Sequence, residues 1–147
     1  MTSRREQYVW YWHLSLSTKK ITFAIITRSR NISRTNLMFE IKRYAPTDKE
    51  RWKSYVRAAK NATFLLDRAY LDYHQDRFED ASLLFYKEDR LYALLPAHIA
   101  NDTLYTHLGL TYGGLVMDHR ITASDTLCLF EELNTYLRTQ YIKRVVY

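Results

Sequence analysis

The segment Gly109–Gly114 combines backbone freedom with hydroxyl side chains, a pattern that can form a binding site. It contains all three glycines of the chain, and Thr111 and Tyr112 lie between them. Clustered glycines permit positive φ angles and the close approach of a ligand or of another backbone segment. One interpretation is a substrate cleft, to which we assign Thr111, Tyr112, Gly113 and Gly114. The other is a β-turn or bulge that redirects a strand, and the sequence leaves both open.

Two histidine positions provide candidate general bases. Catalysis near pH 7 needs an imidazole, or a carboxylate with a raised pKa, beside the reacting group. One short segment contains His74, Asp76 and Arg77, which we assign to substrate binding. His107 precedes the glycine-rich segment and is assigned to the same cleft. A polar surface loop with internal ion pairs is the alternative for the first group, and a hydrogen-bonded structural histidine is the alternative for His107.

The sequence lacks the residue patterns that several other kinds of active or binding site require. No two histidines lie four residues apart and no His/Cys cluster has metal-ligand spacing, so we predict no metal site. The sequence has no P-loop, no Rossmann glycine pattern and no Gly-x-Ser-x-Gly motif. Its single cysteine, Cys128, excludes an intramolecular disulfide and is predicted to be a buried, inert thiol. This cysteine content suits a reducing compartment, and we predict a cytoplasmic protein without a membrane span.

The net charge of +6 is concentrated at one end of the sequence. Residues 1–37 contain seven lysines and arginines and one acidic residue, whereas residues 38–147 contain fifteen of each sign. We therefore predict a basic extension over residues 1–37 and a neutral domain over residues 38–147. Three interpretations of the extension stay open. It is a non-native or disordered stretch upstream of a true start at Met38, a structured peripheral element, or an organellar targeting peptide.

The first half of the domain has the pattern of a strand followed by a helix. Residues 39–44 alternate apolar and polar side chains, as a half-buried strand does. Thr47 and Glu50 have the spacing of a capping box, which predicts a helix over residues 48–60 that ends at Asn61. One apolar stripe of this helix consists of Trp52, Tyr55, Val56 and Ala59.

The second half has the pattern of antiparallel strands followed by a long helix. Two apolar runs, residues 81–87 and 90–97, flank a tight turn and predict a hairpin. Residues 104–107 predict a third strand, and residues 115–117 predict a return to the sheet. Thr122 and Asp125 form a second capping signature, after which apolar residues recur at helical spacing. Residues 143–147 predict a final strand. This order indicates an α+β fold with a mixed, mainly antiparallel sheet flanked by helices.

The order of elements resembles that of the GNAT acyltransferase fold. Four segments more specifically resemble Fem-type, acyltransferase-like proteins of bacteria: residues 62–66, 73–83, 94–97 and, most closely, Thr106–Gly114. The resemblance covers residues 39–147. It implies transfer of an acyl or aminoacyl group, from acyl-CoA or aminoacyl-tRNA, to an amine on a small molecule or peptide. Family members carry two GNAT-like halves, and this chain resembles the N-terminal half, so the resemblance implies a missing C-terminal half.

One motif of the acetyl-CoA-binding members is absent. In those members a loop of approximate pattern Arg/Gln-x-x-Gly-x-Gly/Ala holds the pyrophosphate at a helix N-terminus through backbone N–H groups. Residues 118–123, before the long helix, contain no glycine, and neither arginine nor glutamine lies three residues before Gly109. We therefore expect this half to bind the acceptor, not the donor, and to be inactive alone.

Two hypotheses from other classes remain. The first is a non-catalytic α+β interaction module that forms a homodimer through an exposed edge strand at residues 143–147. The second is nucleic-acid binding by the basic residues of the extension.

Overall fold

A computed structural model of the chain describes residues 22–23, 38–73, 77–106 and 113–147. These residues contain nine strands and three α-helices. Their bounds, in chain order, are β1 (Thr22–Phe23), β2 (Glu40–Arg43), α1 (Lys49–Ala58), α2 (Arg68–Tyr73), β3 (Glu79–Asp80), β4 (Leu83–Lys87), β5 (Arg90–Leu95), β6 (His98–Ala100), β7 (Thr103–Tyr105), β8 (Val116–Met117), α3 (Ala123–Thr139) and β9 (Arg144–Val146). None of the helices described is both long and apolar enough to cross a membrane.

The strands form two sheets where the sequence predicts one. A four-stranded sheet has the order β2-β4-β5-β8 and is antiparallel throughout. A five-stranded sheet has the order β1-β9-β7-β6-β3 and contains one parallel pair, β7 with β9. The α+β class with mixed, mainly antiparallel strands is confirmed. The apolar run 90–97 divides because Pro96 has no N–H to donate to a ladder, and the chain resumes at His98 in the other sheet.

The hairpin predicted around residues 88 and 89 is confirmed. β4 and β5 pair in antiparallel register, from Leu83 opposite Leu95 to Lys87 opposite Arg90. Glu88 and Asp89 have φ angles of 52° and 61°, as both central residues of a type I′ turn do. The turn forms without glycine because the paired strands on either side fix its geometry.

Helix α1 forms as expected, but its predicted cap is wrong. A 3-10 turn, Pro46–Asp48, precedes the helix, so Thr47 already has helical geometry and does not act as its N-cap. Proline favours this early start because its fixed φ suits the first helical position. The Asp48 carboxylate instead accepts a hydrogen bond from the Ala45 N–H at 3.2 Å.

The four-stranded sheet separates two apolar clusters. Because successive strand residues point to opposite faces, Leu84, Leu94 and Val116 pack with Trp52 and Val56 on the α1 face. The α3 face buries Leu83, Phe85, Ala93 and Leu95 against Leu129, Leu133 and Leu137 of that helix. The apolar stripe predicted for α1 is therefore confirmed as core. The stripe predicted for α3 is confirmed only in part: Leu133 and Leu137 are buried, whereas Leu127 and Tyr141 are exposed.

The expectation that the last strand is an exposed edge is wrong. β9 pairs in parallel with β7 on one side and antiparallel with β1 on the other, with Thr22 opposite Val146. The α3 crossover brings the chain back beside β7, and residues 22–23 cover the remaining edge. An interaction module that pairs through an unpaired β9 is therefore not supported.

Candidate functional site

The chain leaves the five-stranded sheet after β7 and enters the four-stranded sheet at β8, and Gly113 and Gly114 lie shortly before β8. A Cβ atom on Gly113 would lie 1.9 Å from the Thr106 carbonyl oxygen. Gly114 has a φ of +96°, and a Cβ there would lie 2.6 Å from ring atoms of Tyr147. Both glycines are thus required by the close approach of other parts of this chain. We call the region formed by Gly113, Gly114, Leu115 and Tyr147 the divergence site.

Tyr147 gives the divergence site a polar centre. Its hydroxyl oxygen accepts a hydrogen bond from the Leu115 N–H at 2.6 Å, and its ring contacts that of Phe130, with centroids 5.9 Å apart. Burial raises the pKa of the Tyr147 phenol above its usual value of 10, so the phenol is neutral at pH 7. Because the phenol oxygen already occupies the Leu115 N–H, the Tyr147 O–H is the donor of this pair that can stabilise negative charge on a reacting carbonyl.

Asn61 positions the strand that follows the divergence site. Its side-chain amide donates to the Leu115 carbonyl at 2.8 Å and accepts from the Met117 N–H at 2.8 Å. The Lys60 N–H adds a bond to the Met117 carbonyl at 2.9 Å. Asn61 was predicted only as the end of α1, and nothing in the local sequence indicates that it also fastens residues 115–117.

The N-terminus of α3 is capped by the chain's own groups. The predicted capping box is confirmed: the Asp125 N–H donates to Thr122 Oγ1 at 3.1 Å, and the Thr122 N–H donates to Asp125 Oδ2 at 3.1 Å. Lys87 Nζ lies 2.9 Å from Asp125 Oδ1. The hydroxyl of Thr122, followed by Lys87, lowers the pKa of the Asp125 carboxyl to about 2.

This helix end does not fit the pyrophosphate of a coenzyme A thioester. A pyrophosphate cradle needs several free backbone N–H groups at an electropositive helix end. Here the Asp125 carboxylate already supplies negative charge at that end, and residues 118–123 contain no glycine that would let the backbone approach a phosphate. The Asp125 carboxylate, paired with Lys87, thus takes the place that a phosphate would need.

Five of the predicted site residues lie outside the described residues: His74, Asp76, His107, Thr111 and Tyr112. Arg77 is exposed and follows the undescribed residues 74–76. Gly113 and Gly114 are brought together with Tyr147, which was not predicted as a site residue. The assignment of these residues to substrate binding remains a prediction.

The other titratable candidates have structural surroundings. His98 is buried between the rings of Phe78 and Tyr105, at centroid distances of 4.6 and 5.2 Å, and burial lowers the pKa of its imidazole. His119 is exposed. Cys128 is half-buried on α3 and packs against the core, so it is less buried than predicted. In the described part of the chain, no group of three or more His, Cys, Asp or Glu side chains is arranged to hold a metal ion.

Arg68 is the buried charge that the sequence analysis did not identify. Its guanidinium carbon lies 3.5 Å from the ring centroid of Tyr44 and 4.4 Å from that of Trp52. Its Nη2 atom lies 2.7 Å from Asp80 Oδ2, and its Nη1 atom lies 3.6 Å from Asp72 Oδ1. Burial lowers the pKa of this guanidinium, while the two carboxylates oppose the shift. The Arg68–Asp80 ion pair connects α2 to β3, the two elements on either side of the segment that contains His74 and Asp76.

Comparisons with known proteins support the fold. No protein-family model and no curated protein sequence matches the chain. Among solved structures, it is similar to the ribosomal-protein-S18-alanine N-acetyltransferase from Escherichia coli, with a TM-score of 0.51 and 13% identity over 71% of this chain. It is also similar to the PaiA N-acetyltransferase from Thermoplasma acidophilum in complex with coenzyme A, with a TM-score of 0.45 and 12% identity, covering 71% of this chain and 74% of that one.

The similarity to the first of these structures shows a shared GNAT-like fold. The chain spans 63% of the length of that N-acetyltransferase.

Proposed function

We propose that this chain is one lobe of a Fem-type, GNAT-like N-acyltransferase, and that it binds the amine acceptor at the divergence site. The single observation that carries the proposal is the Leu115 N–H held against the Tyr147 hydroxyl where the two sheets separate. The fold shared with an N-acetyltransferase supports acyl transfer as the reaction class. The donor, an acyl-CoA or an aminoacyl-tRNA, is held by a second lobe.

The chemistry of the divergence site suits an amine. The neutral phenol of Tyr147 uses one lone pair to accept from Leu115 and has a second lone pair for an N–H donor. Acyl transfer to an amine requires mainly that the amine be held against the carbonyl carbon and that the developing oxyanion meet a fixed donor. Residues 107–112 immediately precede Gly113 in the sequence, which is why we keep His107, Thr111 and Tyr112 in the proposed acceptor site.

The α3 N-terminus, as the structure describes it, forms no donor cradle, and this supports an acceptor-binding role for the lobe. The α3 N-terminus is closed by Thr122, Asp125 and Lys87, so a thioester has no pyrophosphate site there. We therefore assign acceptor binding to this lobe and propose that it performs no transfer by itself.

A titration of the full chain, labelled with ¹⁵N, with short lysine-containing peptides tests this proposal. We expect peptides with free amines to shift the backbone amides of Gly113, Gly114 and Leu115. The same peptides with every amine acetylated are the matched control and should leave these amides unchanged, because acetylation removes the positive charge of each amine and leaves one N–H donor where the ammonium has three.

Two results would contradict the proposal. Equal shifts from free and acetylated peptides, or shifts from neither, would exclude an amine site at Gly113–Leu115. Acetyl transfer from acetyl-CoA to the free peptides by the purified chain alone would show that the donor site lies within it.

A further inference from the structure

A cleft of about 530 Å³ opens on the α1 face of the four-stranded sheet. Its walls are formed by α1, β2, β4, the turn after β4, the start of β5 and the loop after β8. Its volume is in the range of small-molecule sites. Four cationic side chains line it: Lys42, Arg51, Arg90 and Arg120. The cleft is distinct from the divergence site, because Tyr147 packs against Phe130 of α3 on the opposite face.

The positive charge of this cleft is a local excess. Asp89 and Asp118 are the acidic residues that line it. Asp118 is committed to Arg120, whose Nε donates to Asp118 Oδ2 at 2.6 Å and whose backbone N–H donates to Oδ1 at 2.8 Å. Arg90 forms no ion pair with any residue that the structure describes. The excess is notable because residues 38–147 contain equal numbers of acidic and basic side chains.

Two of the cations converge on one aromatic ring. The Lys42 ammonium lies 4.9 Å and the Arg51 guanidinium 5.9 Å from the ring centroid of Tyr86. Arg51 Nη1 also donates to the Tyr86 hydroxyl at 2.9 Å, which fixes the guanidinium at the cleft wall. Like charges on one ring repel each other, and a bound anion would relieve that repulsion.

Two of these cations already have carboxylate partners, but those ion pairs are weak enough for a bound anion to replace them. Lys42 pairs with Glu40 at 3.1 Å and Arg51 pairs with Asp48 at 3.3 Å. Both side chains of the Lys42–Glu40 pair are more than half exposed, and so is that of Arg51, whereas that of Asp48 is 21% exposed. Exposed ion pairs of this kind contribute little to stability. Exchanging such a carboxylate for a doubly charged anion therefore costs little.

We propose that this cleft is a binding site for a phosphate-bearing small molecule. The guanidinium fork matches phosphate geometry with two parallel hydrogen bonds, and two arginines, Arg51 and Arg90, are available for it. The apolar surfaces of Leu91 and Ala58 line the same cleft and can contact the remainder of the ligand. A cleft of about 530 Å³ suits a small ligand better than a nucleic-acid strand, which needs an extended groove. The site does not depend on acyl transfer or on the divergence site.

Calorimetric titration of the full chain with sodium pyrophosphate tests the proposal. We expect saturable binding that Arg51→Gln and Arg90→Gln each weaken about tenfold, the loss expected for a charged hydrogen bond. Arg57→Gln is the matched control, because Arg57 is an exposed arginine of the same helix that does not line the cleft. It should change the dissociation constant less than twofold. Thermal unfolding of each variant verifies that it folds.

Three outcomes would overturn this proposal. The first is no saturable binding of pyrophosphate by the folded wild-type chain. The second is an equal loss of affinity in Arg57→Gln and Arg90→Gln, which would indicate attraction to net charge alone. The third is tighter binding of a single-stranded oligonucleotide than of pyrophosphate, with the same dependence on Arg51 and Arg90, which would identify the ligand as nucleic acid.

Discussion

Replacing Gly113 with alanine is expected to destabilise the chain by about 3 kcal/mol or more, the upper end of what overpacking costs. The added methyl group would lie 1.9 Å from the Thr106 carbonyl oxygen and 3.0 Å from its carbonyl carbon. These are backbone atoms, and the Thr106 N–H is anchored to the Val146 carbonyl at 2.9 Å. The clash can be relieved only by moving β7 away from the residues that lead into β8. Urea unfolding of the full chain measures the loss.

Gly114→Ala provides the comparison for this prediction. Its new methyl group would meet the ring of Tyr147, a side chain that can move, although a φ of +96° remains strained for alanine. In a Tyr147→Ala background the cost of Gly114→Ala should therefore fall, whereas the cost of Gly113→Ala should stay the same. A Gly113→Ala variant as stable as the wild type would show that Gly113 does not lie against the Thr106 carbonyl as described.

Replacing Arg68 with methionine is expected to cost about 2 to 3 kcal/mol. Breaking a fully buried ion pair costs roughly 3–5 kcal/mol because it leaves a charge without a partner. The cost here is smaller because water can reach Asp80, whose side chain is 38% exposed, and because Asp80 keeps its bonds to the Ser82 N–H and hydroxyl. Methionine retains most of the apolar volume between Tyr44 and Trp52, so the change isolates the lost charge.

Arg43→Met is the matched control for Arg68→Met. Arg43 also pairs with an acidic residue, Glu79 at 3.2 Å, but its side chain is 47% exposed, so its loss should cost less than about 1 kcal/mol. In the double variant Arg68→Met/Asp80→Asn, part of the Arg68 penalty should be recovered, because no unpaired carboxylate remains. Equal costs for the two arginines in urea unfolding would mean that Arg68 is not buried against Asp80.

Features that depend on neighbouring residues were predictable from the sequence. The Thr122–Asp125 capping box forms because its donors and acceptors lie within one helical turn. The hairpin of β4 and β5 forms because two apolar runs flank two polar residues. The Thr47–Glu50 cap was predicted by the same logic and was wrong, because Pro46 starts a 3-10 turn that takes Thr47 out of the N-cap position. The Thr47–Glu50 spacing and Pro46 favour different starting residues for the helix, and spacing alone does not show which of the two prevails.

Features that depend on distant residues were not predictable. Arg68 is buried only because Tyr44, Trp52 and Asp80 surround it, and these lie far from it in sequence or on other elements. The separation into two sheets depends on β5 pairing with β8 while β6 pairs with β7. The cover over β9 comes from residues 22–23, more than a hundred positions earlier. The pattern of residues within one segment does not indicate which distant strand that segment pairs with.

The cleft lined by Lys42, Arg51, Arg90 and Arg120, here called the cationic cleft, illustrates why binding sites of this chain were only partly predictable. Lys42, Arg51 and Arg90 lie on three elements, and each is an ordinary surface residue in its own segment. The equal charge count of residues 38–147 gave no reason to expect a phosphate site in this domain. The fold gathers cations on one face, so a neutral total conceals a local excess.

The most direct test of the account is a titration of the ¹⁵N-labelled full chain with coenzyme A, followed at the backbone amides of Thr122, Ala123, Ser124 and Asp125. We predict that these amides do not shift at millimolar coenzyme A, because the Asp125 carboxylate already supplies the negative charge at the α3 N-terminus. Shifts confined to residues of the cationic cleft would be consistent with its proposed phosphate site. Saturable shifts at the α3 N-terminus would contradict the account, because this lobe would then hold the donor itself.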